Sequence, residues 1–443
     1  MKITRSNLIK ANITTLMLSC AITNNAWAGD YYLFNQTATQ LGIQSSGAVA
    51  GIPEAGALFY NPAGLSDLTD PTTSLSALTY STHVHFKNQG SIDAGGATLR
   101  GKNGGNAGLN TPIPTLFVAT PLDCNWSAGI GLFTPFGLGL HYDKGWVGRY
   151  TVTKVKLETM NINPSISYKF NESFLVGAGV SAEHIKVRLS RDVDFGAIGA
   201  FSHFPGVTPQ SADGSTTFKG HNWGYGVNVG AIFKLNPETR FGLSARSGIT
   251  HKIKSADVTF AKSALGNLIS TLSHKFNDSK AKLKMKLPSS IILGFAHDCT
   301  KELTVRGDIT WMNWKRFKEL RVKFANPLQP DDVTPNGYKN SFIYTLGASY
   351  KLQPNWMVES AIAYDQSPVK KNMRHPVHPD SDKINLSFGT QYDIDKYVSL
   401  SASYLHAFCK GGKINVTSAF SGTLNGKIKE SVDIFGAQLT VKF

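Results

Sequence analysis

The sequence has little charge and no long apolar run, and each shortage excludes a class of protein. Only 17% of its 443 residues are charged, while 41% are hydrophobic. A disordered chain carries more charge, and a bundle of membrane-spanning helices is more hydrophobic. A transmembrane helix also needs about 18 consecutive apolar residues, whereas the densest run lies at residues 291–296. What is abundant is glycine, with 42 residues, and aromatic side chains, at 11%. This combination is typical of a β-sheet protein.

Cysteine is scarce, and the motifs of common enzyme classes are missing. Cys124, Cys299 and Cys409 remain after the leader and lie at scattered spacings, which predicts neither disulfides nor a metal site. The sequence contains no nucleophile motif, phosphate-binding glycine loop or nucleic-acid-binding module. We therefore expect no catalytic residues, no cofactor, no metal and no nucleic acid partner. The pair His375 and His378 fits solvated loop side chains better than a metal site.

The first 28 residues have the features of a signal peptide. Three cations come first, a short apolar stretch covers residues 11–22, and Ala26-Trp27-Ala28 supplies the small residues that a signal peptidase reads. We expect the mature chain to begin at Gly29. Removing the leader takes three positive charges and no negative one, so the formal net charge falls from +15 to 15 − 3 = +12.

After about residue 70 the chain alternates apolar and polar residues with a period of two, the pattern of half-buried β-strands. Fourteen segments have this pattern, at about residues 71–87, 112–121, 125–140, 151–170, 174–191, 220–235, 239–254, 282–298, 301–324, 340–352, 355–366, 382–393, 396–418 and 427–443. Tight turns alternate strictly with longer connections. Outer-membrane barrels have this arrangement, with short periplasmic turns and long extracellular loops.

A sheet in hydrocarbon must close on itself, because an open edge would leave backbone groups without partners. We therefore predict an all-β fold, a 14-stranded antiparallel transmembrane β-barrel in the bacterial outer membrane. The last predicted strand places Phe435, Leu439 and the terminal Phe443 on one face. A chain ending this way resembles the C-terminal signal of the barrel assembly machinery, which we expect to contact Phe443.

Residues 29–70 do not alternate cleanly, and their many small residues favour compact packing inside a lumen. This segment contains Asn61-Pro62-Ala63, and two further blocks follow it: Thr134-Pro135-Phe136-Gly137-Leu138 with Trp146-Val147-Gly148-Arg149-Tyr150, and Ala363-Tyr364-Asp365-Gln366-Ser367-Pro368-Val369. In order and spacing the three motifs resemble the FadL family of long-chain fatty-acid and hydrocarbon transporters. The likeness extends over essentially the whole mature chain.

The resemblance implies a hatch at residues 29–70, with the motif Asn61, Pro62 and Ala63, inside a barrel at residues 71–443. We expect passive, gradient-driven uptake of a long-chain fatty acid or similar hydrophobic molecule by a monomer. Substrate would be caught by extracellular loops, held in a lumen pocket and released through a gap at a kinked third strand. The alternative is a general diffusion porin or an adhesin barrel with an open, water-filled lumen.

The third predicted strand contains a weak point, because proline cannot donate a ladder hydrogen bond and glycine weakens strand pairing. The candidates for a lateral opening are Thr134, Pro135, Phe136 and Gly137. Alternatively, the strand ends near Phe133.

Two long loops are unusually apolar for a porin. Spacings of i, i+3, i+4 and i+7 in the second loop predict a short amphipathic helix. The substrate-binding candidates in the two loops are Phe201, Phe204, Leu265, Leu268, Ile269 and Leu272. Alternatively, these side chains pack on one another, and both interpretations are compatible.

Cations recur on one face of several predicted strands. If the alternating apolar face meets lipid, the cations point into the lumen, where they attract a carboxylate head group. The head-group candidates are Arg149, Lys154, Lys156 and Lys284. In the alternative, these strand ends project beyond the membrane, and the cations bind outer-membrane lipid, through lipopolysaccharide phosphates, or are only solvated.

Overall fold

Residues 32–443 are described by a computed structural model, and the predicted signal peptide lies outside this range. The chain forms twenty β-segments: β1 Thr72–Asn88, β2 Asn110–Pro121, β3 Trp126–Phe133, β4 Gly137–His141, β5 Lys154–Asn171, β6 Phe174–Asp194, β7 Asp213–Lys234, β8 Thr239–Arg246, β9 Thr250–Ala261, β10 Ser279–Lys286, β11 Ser290–Asp298, β12 Leu303–Met312, β13 Glu319–Phe324, β14 Asp332–Pro335, β15 Ser341–Gln353, β16 Trp356–Asp365, β17 Lys383–Asp393, β18 Val398–Cys409, β19 Gly412–Ser418 and β20 Gly422–Lys442.

These segments build fourteen barrel strands, because six strands consist of two segments each: β3–β4, β8–β9, β10–β11, β12–β13, β14–β15 and β18–β19. Neighbouring strands are antiparallel throughout, and β1 pairs with β20 from Thr72↔Lys442 to Asn88↔Gly426. This pairing closes the sheet. The predicted 14-stranded antiparallel β-barrel is therefore confirmed.

The outer face of the barrel carries an apolar band. Exposed side chains such as Leu243 on β8, Leu293 on β11 and Leu346 on β15 alternate with residues that point inward. A band of this kind matches the hydrocarbon layer of a membrane. Among residues 32–443, no helix is long and apolar enough to cross a bilayer.

The segment of residues 32–70 fills the lumen and is almost completely buried. It contains two short α-helices, α1 (Ala38–Gly42) and α2 (Ala57–Tyr60), and two 3-10 turns, Ala48–Ala50 and Pro62–Asp67. We call this segment the hatch. Thr37 caps α1 by accepting a hydrogen bond from the backbone N–H of Gln40.

A second apolar core lies on the extracellular side of the hatch, between the inner wall and the loops. It includes Trp146 and Leu283, which are both fully buried. The loops contribute α3 (Phe195–Phe201) and α4 (Ala264–Ser273), together with 3-10 turns at Trp314–Arg316 and Lys371–Met373. Helix α4 confirms the amphipathic helix predicted from residues 265–272.

Candidate functional site

The motif Asn61-Pro62-Ala63 joins the hatch to the barrel wall. The fully buried Asn61 amide donates hydrogen bonds to the carbonyl of Val49, at 2.7 Å, and to that of Ala231 on β7, at 3.0 Å. Its oxygen accepts from the N–H of Ala63 at 3.0 Å and so caps the following 3-10 turn. Pro62 occupies the first position of that turn, where no donor is needed.

The third barrel strand is interrupted where the sequence predicts a weak point. Segments β3 and β4 are separated by residues 134–136, and β4 pairs with β5 but has no register with β2. The pairing between β2 and β3 covers only residues 116–121 of β2. The wall therefore lacks ladder hydrogen bonds between residues 110–115 and residues 137–141.

The start of the hatch occupies this interruption. Tyr32 forms an isolated antiparallel bridge with Phe136, and the N–H of Leu33 donates to the carbonyl of Pro135 at 2.9 Å. The buried Gln36 bonds to both sides of the break. Its side chain donates to the carbonyl of Thr134 at 2.9 Å, and its own carbonyl accepts from the Thr115 hydroxyl at 2.7 Å.

Two small cavities lie between the hatch and the inner wall, and the first lies next to the interruption. One has a volume of about 50 Å³ and is lined by Leu138, Trp314 and Lys383 among others; the second, of about 40 Å³, is lined mostly by β-strand side chains. Tyr32 and Asp365 line both cavities. The third sequence motif thus contributes to the lumen, because Asp365, Pro368 and Val369 face the first cavity.

A larger groove of about 690 Å³ lies among the extracellular loops. Phe201 of α3 and Ile269 of α4 line it, and Phe420 from the hairpin between β19 and β20 approaches Phe201 with a ring distance of 6.0 Å. The sequence pattern did not identify Phe420, because its hairpin has no helical or strand periodicity.

The remaining loop candidates lie apart from this groove. Phe204 is half-buried, and neither it nor Leu265, Leu268 or Leu272 lines the groove. Leu265 approaches Gly199 of α3, so the two helices pack together there. Leu268 and Leu272 are exposed on the outer side of α4. The loops therefore pack on one another and also expose an apolar surface. Substrate binding by these residues stays a prediction.

The Arg149 guanidinium donates three hydrogen bonds within the loops. It donates from Nε to Asp213 at 2.9 Å, from Nη1 to the carbonyl of Arg100 at 2.7 Å and from Nη2 to the Tyr150 hydroxyl at 2.7 Å. Burial raises the pKa of Tyr150, and its hydrogen bond to the Asp213 carboxylate raises that pKa further. This geometry favours a structural role, and the head-group role of Arg149 stays a prediction.

The predicted orientation of the other cations is wrong. Val155 and Leu157 on β5, and Leu283 on β10, are buried in the inner core, so Lys154, Lys156 and Lys284 lie on the opposite, outer face. Alternation fixes which residues share a face but does not tell which face points inward. These segments reach the level of the loops, where the apolar face packs against the interior of the barrel.

The sequence pattern did not identify a cation that does lie in the lumen, Arg246. The Arg246 guanidinium lies over the ring of Phe59, at 5.0 Å, and donates to the Phe59 carbonyl at 2.9 Å. It also lies 5.5 Å from the ring of Phe133, next to the interruption of the third strand. The sequence signal is weak, because Arg246 ends β8 without a charged neighbour at a spacing of two.

The expectation that His375 and His378 are solvated is also wrong. They form an isolated β-bridge inside the loop between β16 and β17, and the N–H of Val377 donates to Nδ1 of His375 at 3.2 Å. Burial lowers the pKa of His375 to about 3 and that of His378 to about 4. Within residues 32–443, no group of three or more His, Cys, Asp or Glu side chains is placed to hold a metal.

Comparison with known proteins gives one family. The model of the family described as "Outer membrane protein transport protein (OMPP1/FadL/TodX)" matches residues 19–443. A long-chain fatty acid transport protein of Escherichia coli O6:H1 is 25% identical, over 92% of this chain and 93% of that protein.

Two solved structures have the same fold. The crystal structure of a Pseudomonas aeruginosa FadL homologue has a TM-score of 0.86 at 22% identity and covers 94% of this chain and 100% of that one. The Pseudomonas putida toluene transporter TodX has a TM-score of 0.67 at 18% identity, with 93% and 99% covered.

Proposed function

Because the chain belongs to this family of outer-membrane transport proteins, we propose that it takes up long-chain fatty acids or similar hydrophobic molecules by passive diffusion and releases them sideways through its third strand. The observation that carries the proposal is the interruption at residues 134–136, which is occupied by the start of the hatch. A barrel wall opens at lower cost where its ladder hydrogen bonds are already missing than where the strands are fully paired.

The route has three stages in this proposal. The exposed leucines of α4 and the apolar side chains of the groove first take the hydrophobic part of the substrate out of the surrounding water. The substrate then passes to the cavities beside Tyr32, which enlarge as the first residues of the hatch move. Each transfer is driven by burial of apolar surface, at about 25 cal/mol per Å². Displacing residues 32–36 breaks their hydrogen bonds to residues 134–136 and frees the lateral exit.

A reversible cross-link between the hatch and the third strand tests this proposal. Tyr32 and Phe136 are opposite residues of an antiparallel bridge, and such positions have Cα atoms about 4.5 to 5.5 Å apart, within disulfide range. In the variant Tyr32→Cys/Phe136→Cys, we expect oxidation to abolish uptake of labelled oleate by cells lacking other transporters, and reduction to restore it.

The matched control is Ala77→Cys/Ala437→Cys, which joins β1 to β20 at paired positions of the wall. This bond leaves the hatch untouched, so uptake should not depend on oxidation. Both single variants report the loss of each aromatic ring and any reaction of the native cysteines. Undiminished uptake with the first disulfide verified by mass spectrometry would refute release through the third strand.

A further inference from the structure

A cavity of about 620 Å³ lies on the outer side of the barrel wall and is lined largely by cations. Nine of its thirteen lining residues are Lys or Arg, and one, Glu319, is acidic. The cations come from β9, from β10 and from residues 316–323 of the ninth barrel strand. No step of the proposed transport route uses this cavity.

The cavity exists because two neighbouring strands separate. Segments β10 and β13 pair only from Ala281↔Phe324 to Leu283↔Val322, and pairing resumes at Ser290↔Met312 between β11 and β12. Between these points one strand has residues 284–289 and the other has residues 313–321. The unequal lengths prevent regular pairing, and the longer side turns at Trp314–Arg316.

The lysines of this cavity point away from the lumen. Leu283 and Met285 of β10 and Val322 of β13 are buried in the inner core. Lys282, Lys284, Lys286 and Lys323 alternate with these residues and are exposed. Since successive side chains of a strand point to opposite faces, the lysines lie on the outside of the wall.

Like charges face each other across this site. Lys284 is the register partner of Lys252, and Lys282 is the register partner of Lys323. Directly opposed like charges destabilise a sheet. Among residues 32–443, none of these four lysines forms an ion pair. The nearby acids are bound to other cations: Glu319 and Asp331 bond to Arg321. Asp257 bonds to Lys280. The arrangement therefore favours an external anion with several negative charges.

The height of the site indicates where that anion comes from. Ile291 and Leu293 on β11 are exposed on the outer face and belong to the apolar band. Lys286 is five residues further toward the extracellular loops, beyond the irregular stretch at residues 287–289. The lysines thus begin just above the hydrocarbon, at the level of the outer-leaflet head groups.

We propose that this cavity binds the phosphate groups of a phosphorylated glycolipid of the outer leaflet, lipopolysaccharide. Its acyl chains lie along the apolar band below, and its phosphates compensate the opposed lysine pairs. A fatty-acid carboxylate fits less well, because it carries a single charge and the site faces away from the lumen. The site is independent of the proposed transport function.

Charge reversal on β10 tests the proposal with the full chain in detergent micelles. In Lys282→Glu/Lys284→Glu/Lys286→Glu, we expect the affinity for bisphosphorylated lipid A, measured by titration with native mass spectrometry, to fall more than about tenfold. The matched control, Lys301→Glu/Lys351→Glu/Lys396→Glu, makes the same charge change at the opposite end of the barrel, near the tight turns. Its affinity should change by less than about twofold.

Two further measurements separate specific binding from other effects. The variant Lys282→Gln/Lys284→Gln/Lys286→Gln removes the cations without adding negative charge, and its heat-dependent migration in gels reports that the barrel is folded. This glutamine variant should also bind lipid A more weakly than the wild type does. Equal losses in the cavity and control variants would overturn the proposal, as would equally tight wild-type binding of dephosphorylated lipid A or of inorganic phosphate alone.

Discussion

Two histidines in the loop between β16 and β17, the half-buried His375 and the buried His378, should make that loop sensitive to acid. The ordinary histidine pKa is about 6.5, and burial lowers the pKa of His375 to about 3 and of His378 to about 4. His378 and Arg191 lower the pKa of His375 further, while Asp380 opposes the shift at His378. Between about pH 6.5 and pH 4 the opened loop binds protons that the closed loop excludes. The contribution of the two neutral histidines to the stability of the closed loop is therefore fully present above about pH 6.5 and decreases as the pH falls through this window.

We expect amide exchange in residues 366–382, corrected for its intrinsic pH dependence, to accelerate by at least about tenfold from pH 7 to pH 4. The variant His375→Asn/His378→Gln keeps polar atoms near the ring nitrogens but does not titrate, so its corrected exchange should be nearly flat. His203→Asn, at an exposed loop position, should behave like the wild type. A pH response that persists in the double variant would show that other groups control the loop.

The amide of Asn61 explains why that residue type occupies its position. One donor reaches the hatch at Val49 and the other reaches the wall at Ala231, while the oxygen caps the next turn. An aspartate would keep the cap but lose both donors. The sequence showed the motif and its place in the hatch. It did not show that the second donor reaches β7, because that contact joins residues 170 positions apart.

At the level of elements, the weak pairing of the third strand could be predicted from its residues, but the hatch segment that binds there could not. Pro135 lacks a donor, and glycines occur at 129, 131 and 137, so local chemistry predicts weak pairing there. The hydrogen bonds from Gln36 to Thr134 and from Thr115 to Gln36 depend on how the hatch folds inside the barrel. Residues 29–70 have no strand periodicity from which that position follows.

Close contact between the hatch and β8 leads to a prediction about conductance. A Cβ atom at Gly242 would lie 1.9 Å from the carbonyl oxygen of Val49, too close for any side chain without movement of the hatch backbone. We expect Gly242→Val to displace the hatch and to raise ion conductance in planar bilayers above the wild-type level. Ala245→Val adds similar bulk to the same strand, on the side of the exposed Leu243, and should leave conductance low.

This measurement also separates the hatch from an open porin. High conductance in the wild type, unchanged by Gly242→Val, would contradict a lumen blocked by residues 32–70 and would favour the porin alternative. Low conductance in both proteins would show that the hatch adapts to the added side chain without opening a path.

For the whole molecule, alternation predicted the number of strands and their closure but not the direction of every face. Near the tight turns the apolar face meets lipid, as Leu243 and Leu293 show. Toward the loops the same alternation continues, but Leu283 and Val155 turn to an inner core built by the loops. In the strands β8–β9 and β10–β11, the breaks at residues 247–249 and 287–289 change which of the alternating residues point inward. A single sequence shows the alternation, but it does not show the height in the barrel wall at which the apolar side chains turn from the lipid to the interior.

The groove is a property of the assembled loops, and aromatic rings from different loops form part of its wall. Phe201 and Phe420 come from loops more than two hundred residues apart and meet at its rim. Replacing both by serine removes two rings that would cover a bound acyl chain, so we expect purified protein to bind a fluorescent fatty acid at least about tenfold more weakly. Phe170→Ser/Phe174→Ser removes an exposed stacked pair at the tight turn between β5 and β6 and should leave binding unchanged. If both variants bind as the wild type does, the inner cavities alone hold the ligand, and the groove is not a stage of uptake; if only the groove variant is weakened, capture begins at the loops.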